Sequence, residues 1–564
     1  MKKLLFIIFS GICLFIAENG FSQTVYAYRV TFKNKNGGKT FADSLSFLSQ
    51  KAMDRRNKLG LVLDYYDLPI VESYVDSVVK KAVAFRVKNR SKWFNQIVVL
   101  TKTTNMANVV ALPYVENVKL VGKYPNGWLV NPNNTPIGNK YDYKIEEIKH
   151  ARGTPTYYGT SFNQIRLTNT DYLHDLGFKG EGIHIGVIDM GFTKAFTLAA
   201  FDSVRLQNRF MDQWNFVKDT VNIDSFTSPI THGTDALSLM ATNLPGTYIG
   251  SSPNSNYSMY LTEDYAFESP IEEDNWVSAA ERADSAGVDL INTSLGYYIF
   301  DNDFSTDNYT YQNDFDGKTT LIAQGHNMAV SRGIFCVSAM GNMGGNPWRY
   351  MLTPADADST YSVGACDSSG AFLLSMGSSA GPSNDGQVKP DGLGCGVKVT
   401  LIANGSGLPA ISGGTSFSAP LIAGGIACLM QALPNVDPWT MRRLVQQSSS
   451  RYTTPSDTMG YGIPNFMLAY QTGKVLGVKN FVVGNDKDYN LYPNPSIGTT
   501  IYVNYTKGNL QNAAVEILDI SGKIIHQQPL QNNSFSVAAC HNGIYYVRIS
   551  NGKEMVLKCF MVNE

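Results

Sequence analysis

A serine hydroxyl becomes a strong nucleophile only when a base takes its proton and an acid orients that base. Three stretches of this 564-residue chain supply such groups. Residues 413–420 read Gly-Gly-Thr-Ser-Phe-Ser-Ala-Pro, and an apolar run, 421–430, follows. The glycines let the backbone turn sharply and approach a substrate. The apolar run predicts a buried helix. Ser416 then stands near a helix N-terminus, where the dipole favours a developing negative charge. Residues 182–188, Gly-Ile-His-Ile-Gly-Val-Ile, predict a buried parallel strand. Asp189 follows at its carboxyl end, where open α/β sheets form their sites. His232, in Thr-His-Gly-Thr, stands at the start of the helix pattern of 235–241. Taken singly, each has a plainer role: Asp189 in a turn, His232 in a polar loop, Ser416 in a loop that caps a helix.

The three stretches together, in the order Asp, His, Ser, resemble the signature blocks of the subtilisin-like serine peptidases. The blocks are Gly186-Val187-Ile188-Asp189-Met190-Gly191, His232-Gly233-Thr234 and Gly414-Thr415-Ser416-Phe417-Ser418-Ala419-Pro420. A fourth block also matches: the strand-like run 333–339 ends in Met340-Gly341-Asn342. The resemblance gives Asn342 the role of donating its side-chain amide to an oxyanion, with the Ser416 N–H as second donor. A fifth block, Ile291 to Gly296, resembles the segment that pairs with substrate backbone and lines the primary specificity pocket, through Ser294, Leu295 and Gly296. The likeness covers 166–475. It implies a secreted serine endopeptidase made as a zymogen, cutting peptide bonds through an Asp189–His232–Ser416 triad and an acyl-enzyme. It requires no cofactor and leaves structural calcium open. The competing reading is a catalytically inactive subtilase-fold scaffold or adhesin, which the presence of all four catalytic residues disfavours. An esterase is a further rival, and the Ser294 segment argues for a polypeptide substrate instead.

The chain departs from the family at Phe417, where methionine is commoner. It also departs at Gly394-Cys395-Gly396, where Ala-Pro-Gly is usual. Gly377-Ser378-Ser379-Ala380-Gly381 matches a nucleophile elbow, but a turn follows it in place of a helix. Residues 313–317, Asn-Asp-Phe-Asp-Gly, offer calcium-type oxygens without the spacing of a calcium loop, and read as a polar turn. The carboxylates Glu263, Asp264, Glu268, Glu272, Glu273 and Asp274 could line a pocket for basic side chains, but the plainer reading is preferred, with Glu272-Glu273-Asp274 opening a helix over 276–286.

The length predicts several domains. A net charge of −1 gives no electrostatic reason for a nucleic-acid partner. Lys2-Lys3, the apolar residues 4–16 and Gly20-Phe21-Ser22 predict a signal peptide over 1–22, cut before Gln23. No later stretch is expected to span a membrane. Six cysteines then remain. Cys336 and Cys428 sit in apolar runs and read as buried thiols. Cys366 with Cys395, and Cys540 with Cys559, stay open as disulfides because export permits them.

Residues 23–124 predict a separate α+β unit: a strand at 25–32, a helix at 41–59, strands at 82–87 and 96–101, a helix at 104–112 and a strand at 115–121. That order is ferredoxin-like. The unit resembles the N-terminal region of secreted Bacteroidetes subtilases, which implies an inhibitory prodomain and folding chaperone. Lys51, Arg55, Arg56 and Lys58 read as a solvated helix face. A linker, 125–150, follows and is expected to be open to cleavage. The α/β parallel-sheet catalytic domain is expected over 151–475 and a second linker over 476–489. Residues 490–564 predict an all-β sandwich, with short alternating runs at 500–505, 514–519, 543–549 and 555–561. Tyr492-Pro493-Asn494-Pro495 and Gly543-Ile544-Tyr545-Tyr546-Val547 resemble the type A sorting domain of the type IX secretion system. The implied partners are polypeptide substrates, the chain's own prodomain and the secretion machinery. The implied location is outside the cell or on its surface.

Overall fold

The structure, a computed structural model, describes residues 24–563 apart from 126–145, 148–155, 225–230, 373–376, 478–481, 484–488, 497, 507–509, 511–512, 519–523 and 551–553. The signal segment and nearly all of the first linker lie outside the described residues. The chain forms two compact units, Met1–Thr472 and Gly473–Glu564.

The first unit is built around a seven-stranded parallel sheet. Its N-terminal part carries four antiparallel strands: β1 (Val25–Phe32), β2 (Arg86–Ser91), β3 (Gln96–Thr101) and β4 (Val115–Tyr124). They lie in the order β2-β3-β1-β4. With helices α1 (Gln50–Lys58), α2 (Glu72–Lys81) and α3 (Ala107–Val110), this keeps a ferredoxin-like order around an extra helix. The single helix expected at 41–59 is instead a 3₁₀ turn, Phe41–Ser46, and α1. Ser49 separates them because its side chain accepts the Ala52 N–H and caps α1. The crossover into β2 is α2, whose Val75 and Val78 face the core.

The parallel strands are β5 (His184–Asp189), β6 (Phe210–Asn215), β7 (Asn256–Leu261), β8 (Leu290–Thr293), β9 (Phe335–Ala339), β10 (Tyr361–Cys366) and β11 (Gly392–Cys395). Their spatial order is β11-β10-β9-β8-β5-β7-β6. The chain winds one way from β5 through β6 to β7, then the other way from β8 to β11. The switch point therefore lies between β5 and β8, where α/β sheets open a crevice at the strand ends. β5 is buried along its length, because helices cover both faces of the sheet. Ile185 and Val187 point into one core with α4 (His232–Ala241) and α7 (Thr415–Ala432), while Ile188 points into the other with α5 (Ile271–Ala286) and α6 (Leu321–Ser331). Among the described residues α7 alone is long and apolar enough to cross a membrane, and here it is a core helix.

Helix α5 is buried on nearly every side, which corrects the expectation of a solvated face at Arg55 and Arg56. The sheet covers one face and the N-terminal part covers the other. Glu281 accepts hydrogen bonds from the Ser91 hydroxyl and from the Lys92 and Trp93 N–H groups, at 2.6, 2.9 and 3.1 Å. Asp274 takes both Arg29 and Gln96. Glu272, Glu273 and Asp274 stand in the first turn of α5, as the sequence predicts, and this acidic start also docks the N-terminal part. Arg55 and Arg56 are buried, not solvated: both donate to the fully buried Asp284 of α5. Arg56 and Arg332 share Asp67. Burial alone would raise the Asp284 carboxyl, but the neighbouring Arg55, Lys92 and Arg56 charges hold it below its ordinary value. Removing one member of a buried ion pair strands the others. Asp284→Asn is expected to weaken the hold on the N-terminal part by about 3–5 kcal/mol. A lower urea midpoint for its release checks this.

The second unit is all-β. A five-stranded sheet includes Ala514–Leu518, Ile524–Pro529, Gly543–Ser550 and Glu554–Val562. A three-stranded sheet holds Tyr489–Tyr492, Thr500–Tyr505 and Ser534–Ser536. One core, including Ile501, Phe535, Val515 and Phe560, lies between them. The expected sandwich is present. Cys336, Cys366, Cys395, Cys428 and Cys540 are all free and buried, so the Cys366–Cys395 pairing left open by the sequence is not made.

Candidate active site

Asp189 closes β5 and Ser294 follows β8, so the two sides of the switch point present them at the same end of the sheet. His232 opens α4, and its Nδ1 lies 2.7 Å from Asp189 Oδ1. The same Asp189 oxygen accepts the Met190 N–H at 2.8 Å, which fixes the carboxylate. Asp189 is 1% exposed and His232 2%. Burial lowers the imidazole pKa, but the charge and hydrogen bond of Asp189, helped by Asp235 and Glu263, outweigh it, so the pKa is raised. The His232 ring also packs on Phe417, with centroids 5.5 Å apart. Phe417 adjoins Ser416, so the imidazole is held beside the start of α7.

Gly414 caps α7 with φ 139° and ψ 155°, a conformation closed to other residues. A Cβ there would also stand 3.4 Å from Asn342 Nδ2. The Ser416 hydroxyl donates to the Ser294 carbonyl at 3.2 Å. In return the Ser294 hydroxyl donates to the Ser416 carbonyl at 2.9 Å. That return bond has a cause in the sequence. Pro420, four residues on, has no N–H to give the Ser416 carbonyl, and Ser294 replaces it.

Asn342 is exposed at the end of β9. Its Oδ1 accepts from the Thr415 N–H at 2.9 Å and the Thr415 hydroxyl at 3.1 Å. The Thr415 hydroxyl in turn accepts the Gly341 N–H at 3.0 Å. Anchoring the oxygen end leaves the Nδ2 hydrogens as the free donors of this amide, beside Gly414 and the nucleophile loop. Thr415 was not singled out in the sequence, although its place between the glycines and the serine could have flagged it. The structure thus brings Asp189, His232, Ser416, Asn342 and Ser294 to one crevice. Leu295 is buried there, and Gly296 continues the wall.

The calcium-type loop spends its carboxylates on its own turns. Asp314 accepts from the Thr310 N–H and hydroxyl, and Asp316 from the Lys318 and Thr319 N–H groups and the Thr319 hydroxyl. These two residues do not present a converging set of ligands. Glu263, Glu268 and Glu272 do bring carboxylate oxygens within 4.8 Å of one another. However, Glu263 accepts from Tyr297 and Thr262, and Glu272 from the Asp264 and Ser269 N–H groups.

Residues 180–462 match the Subtilase family, 27–136 the Peptidase S8 propeptide domain of Bacteroidota, and 490–563 the Secretion system C-terminal sorting domain. The sorting domain marks a protein sent outside the cell or to its surface. A stretch of 199 residues is 28% identical to the minor extracellular protease Vpr of Bacillus subtilis (strain 168). That match covers 34% of this chain and about a fifth (21%) of that relative. The crystal structure of fervidolysin from Fervidobacterium pennivorans, described as a keratinolytic enzyme related to subtilisin, is similar with a TM-score of 0.51. It is 14% identical and covers 93% of this chain and 70% of its own, a likeness of fold alone. With half its length matched by one family, and two further stretches by that family's propeptide and an export module, the chain belongs to the subtilase family.

Proposed function

We propose that this chain is a secreted serine endopeptidase made as a zymogen. The observation that carries the reading is the buried Asp189–His232 hydrogen bond, with its imidazole packed against the residue next to Ser416. Ser416 Oγ attacks the scissile carbonyl carbon as His232 Nε2 takes its proton. The hydroxyl must first turn from the Ser294 carbonyl. Negative charge develops on the former carbonyl oxygen, and Asn342 Nδ2 and the Ser416 N–H donate to it. His232 then gives the proton to the leaving amine. Water hydrolyses the acyl-enzyme by the reverse sequence. Asp189 keeps the imidazole in one tautomer and stabilises its charged form. Ser294, Leu295 and Gly296 supply an edge for substrate backbone. The N-terminal part, docked on α5, is the inhibitory prodomain of this reading, with residues 125–150 as the linker cut on maturation.

Quenched-fluorescence peptides and simple esters, offered to the secreted protein, test the reading. Ser416-dependent peptide cleavage is expected, and ester hydrolysis without peptide cleavage would contradict it. Asn342→Ala is expected to lower kcat by about 100- to 1000-fold with little change in KM, because its hydrogen bond forms only as charge develops. A loss below tenfold would remove Asn342 from the oxyanion role.

A further inference from the structure

In the proposed reaction the residue before the cleaved bond has its carbonyl carbon at Ser416 and its oxygen at Asn342. Its side chain must then enter the space between two walls, Ser294–Gly296 and Met340–Asn342. Each wall contains a glycine, Gly296 and Gly341, so the walls alone leave a slot open. That slot is not empty. A Cβ placed on Gly296 would lie 2.7 Å from Leu352 Cβ, and one placed on Gly341 would lie 2.7 Å from Leu352 Cγ and 3.1 Å from its Cδ1. One leucine side chain therefore lies against both glycines and occupies the room their missing side chains leave.

The leucine is held there by its backbone. The Leu352 N–H donates to the Met340 carbonyl at 3.0 Å, which ties it to one wall. The next residue, Thr353, exchanges two backbone hydrogen bonds with Tyr297, at 2.9 and 3.2 Å, which ties it to the other. Behind it Met340, Met351, Ala355 and Phe315 form a buried apolar cluster. Leu352 itself is half-buried, so part of its side chain remains exposed. A close-packed site of this kind does not stretch to admit a bulky group without displacing the leucine.

We infer that Leu352 sets the substrate class of this site, restricting the residue before the cleaved bond to small uncharged side chains such as glycine, alanine and serine. The inference rests on the serine-peptidase reading above. Leu352 acts by shape. Its other neighbours in the slot are backbone groups and the Ser379 hydroxyl, which already accepts the Met343 N–H, so a charged side chain would find no charged partner there either.

The test uses the secreted full-length protein after its own maturation. The substrates are quenched peptides that differ only at the residue before the cleaved bond. The wild type is expected to favour alanine over leucine or phenylalanine in kcat/KM by at least about 10- to 200-fold, the range one methylene commands in an apolar pocket. Leu352→Ala is expected to shrink or invert that ratio by at least about tenfold. Leu352→Val, a smaller change of shape, guards against a variant that fails to fold and should move the ratio in the same direction by less. A wild type that favours large residues, or variants that cleave with an unchanged ratio, would overturn the inference while leaving the peptidase reading intact. Absence of Ser416-dependent cleavage of every peptide would overturn the peptidase reading and this inference with it.

Discussion

Ser416→Ala is expected to lower kcat for peptide hydrolysis by about 10⁶-fold, a loss typical when the nucleophile of such a triad is removed. The effect should be chemical, not structural. The described hydrogen bond of the Ser416 hydroxyl goes to the Ser294 carbonyl. The more demanding group, the Ser416 carbonyl deprived of a helix partner by Pro420, keeps the Ser294 hydroxyl. Gly414 and the buried body of α7 are untouched. The variant should therefore unfold at the wild-type urea concentration to within experimental error and still fail to turn over. If the wild type removes its own prodomain, the variant should also accumulate as the longer chain. A variant that keeps substantial peptide turnover would show that another group is the nucleophile.

Asp189→Asn is expected to lower kcat by about 10⁴-fold, because asparagine no longer enforces the tautomer in which Nε2 is the base. It should also move the pH profile, in a direction the geometry sets. In the wild type, burial pulls the His232 pKa down and Asp189 more than restores it, with help from Asp235 and Glu263. Catalysis needs the neutral imidazole. Activity should thus fall as pH drops through a raised pKa, which places the acid limb above the ordinary histidine range. With the Asp189 charge removed, burial gains weight and the pKa falls. The acid limb of the residual activity should then shift to lower pH. A variant with wild-type kcat, or an acid limb that moves upward, would contradict the assigned role.

The candidate site residues are legible in the sequence because each is announced locally. Asp189 ends an apolar run, His232 opens a helix pattern, and Ser416 stands between glycines and a buried helix. Parallel strands buried on both faces carry a strong signal, and the site occupies their ends. What the sequence hid depends on partners far along the chain. Arg55 and Arg56 look like a solvated face until Asp284, more than 200 residues later, is brought against them. Strand β2, Arg-Val-Lys-Asn-Arg-Ser at 86–91, lies later than the strand the sequence predicts at 82–87, because its hydrophobic pattern is weak. It is polar for a reason: Lys88, Asn89 and Ser91 point into hydrogen bonds with α5 and the Phe216 carbonyl. The break at Ser49 is a capping event inside a continuous helix-like pattern. Leu352 gives no signal at all, since its meaning lies in the two glycines it covers, one 56 and the other 11 residues before it.

The measurement that bears most directly on the account is labelling of the secreted wild type and its Ser416→Ala variant with a fluorophosphonate, followed by gel and intact-mass analysis. The account predicts one adduct on a shortened wild-type chain, mapping to Ser416, and none on the variant. An unlabelled wild type that is folded and free of its prodomain would mean that Asp189, His232 and Ser416 do not work together, and the protein would then be a subtilase fold without subtilase chemistry.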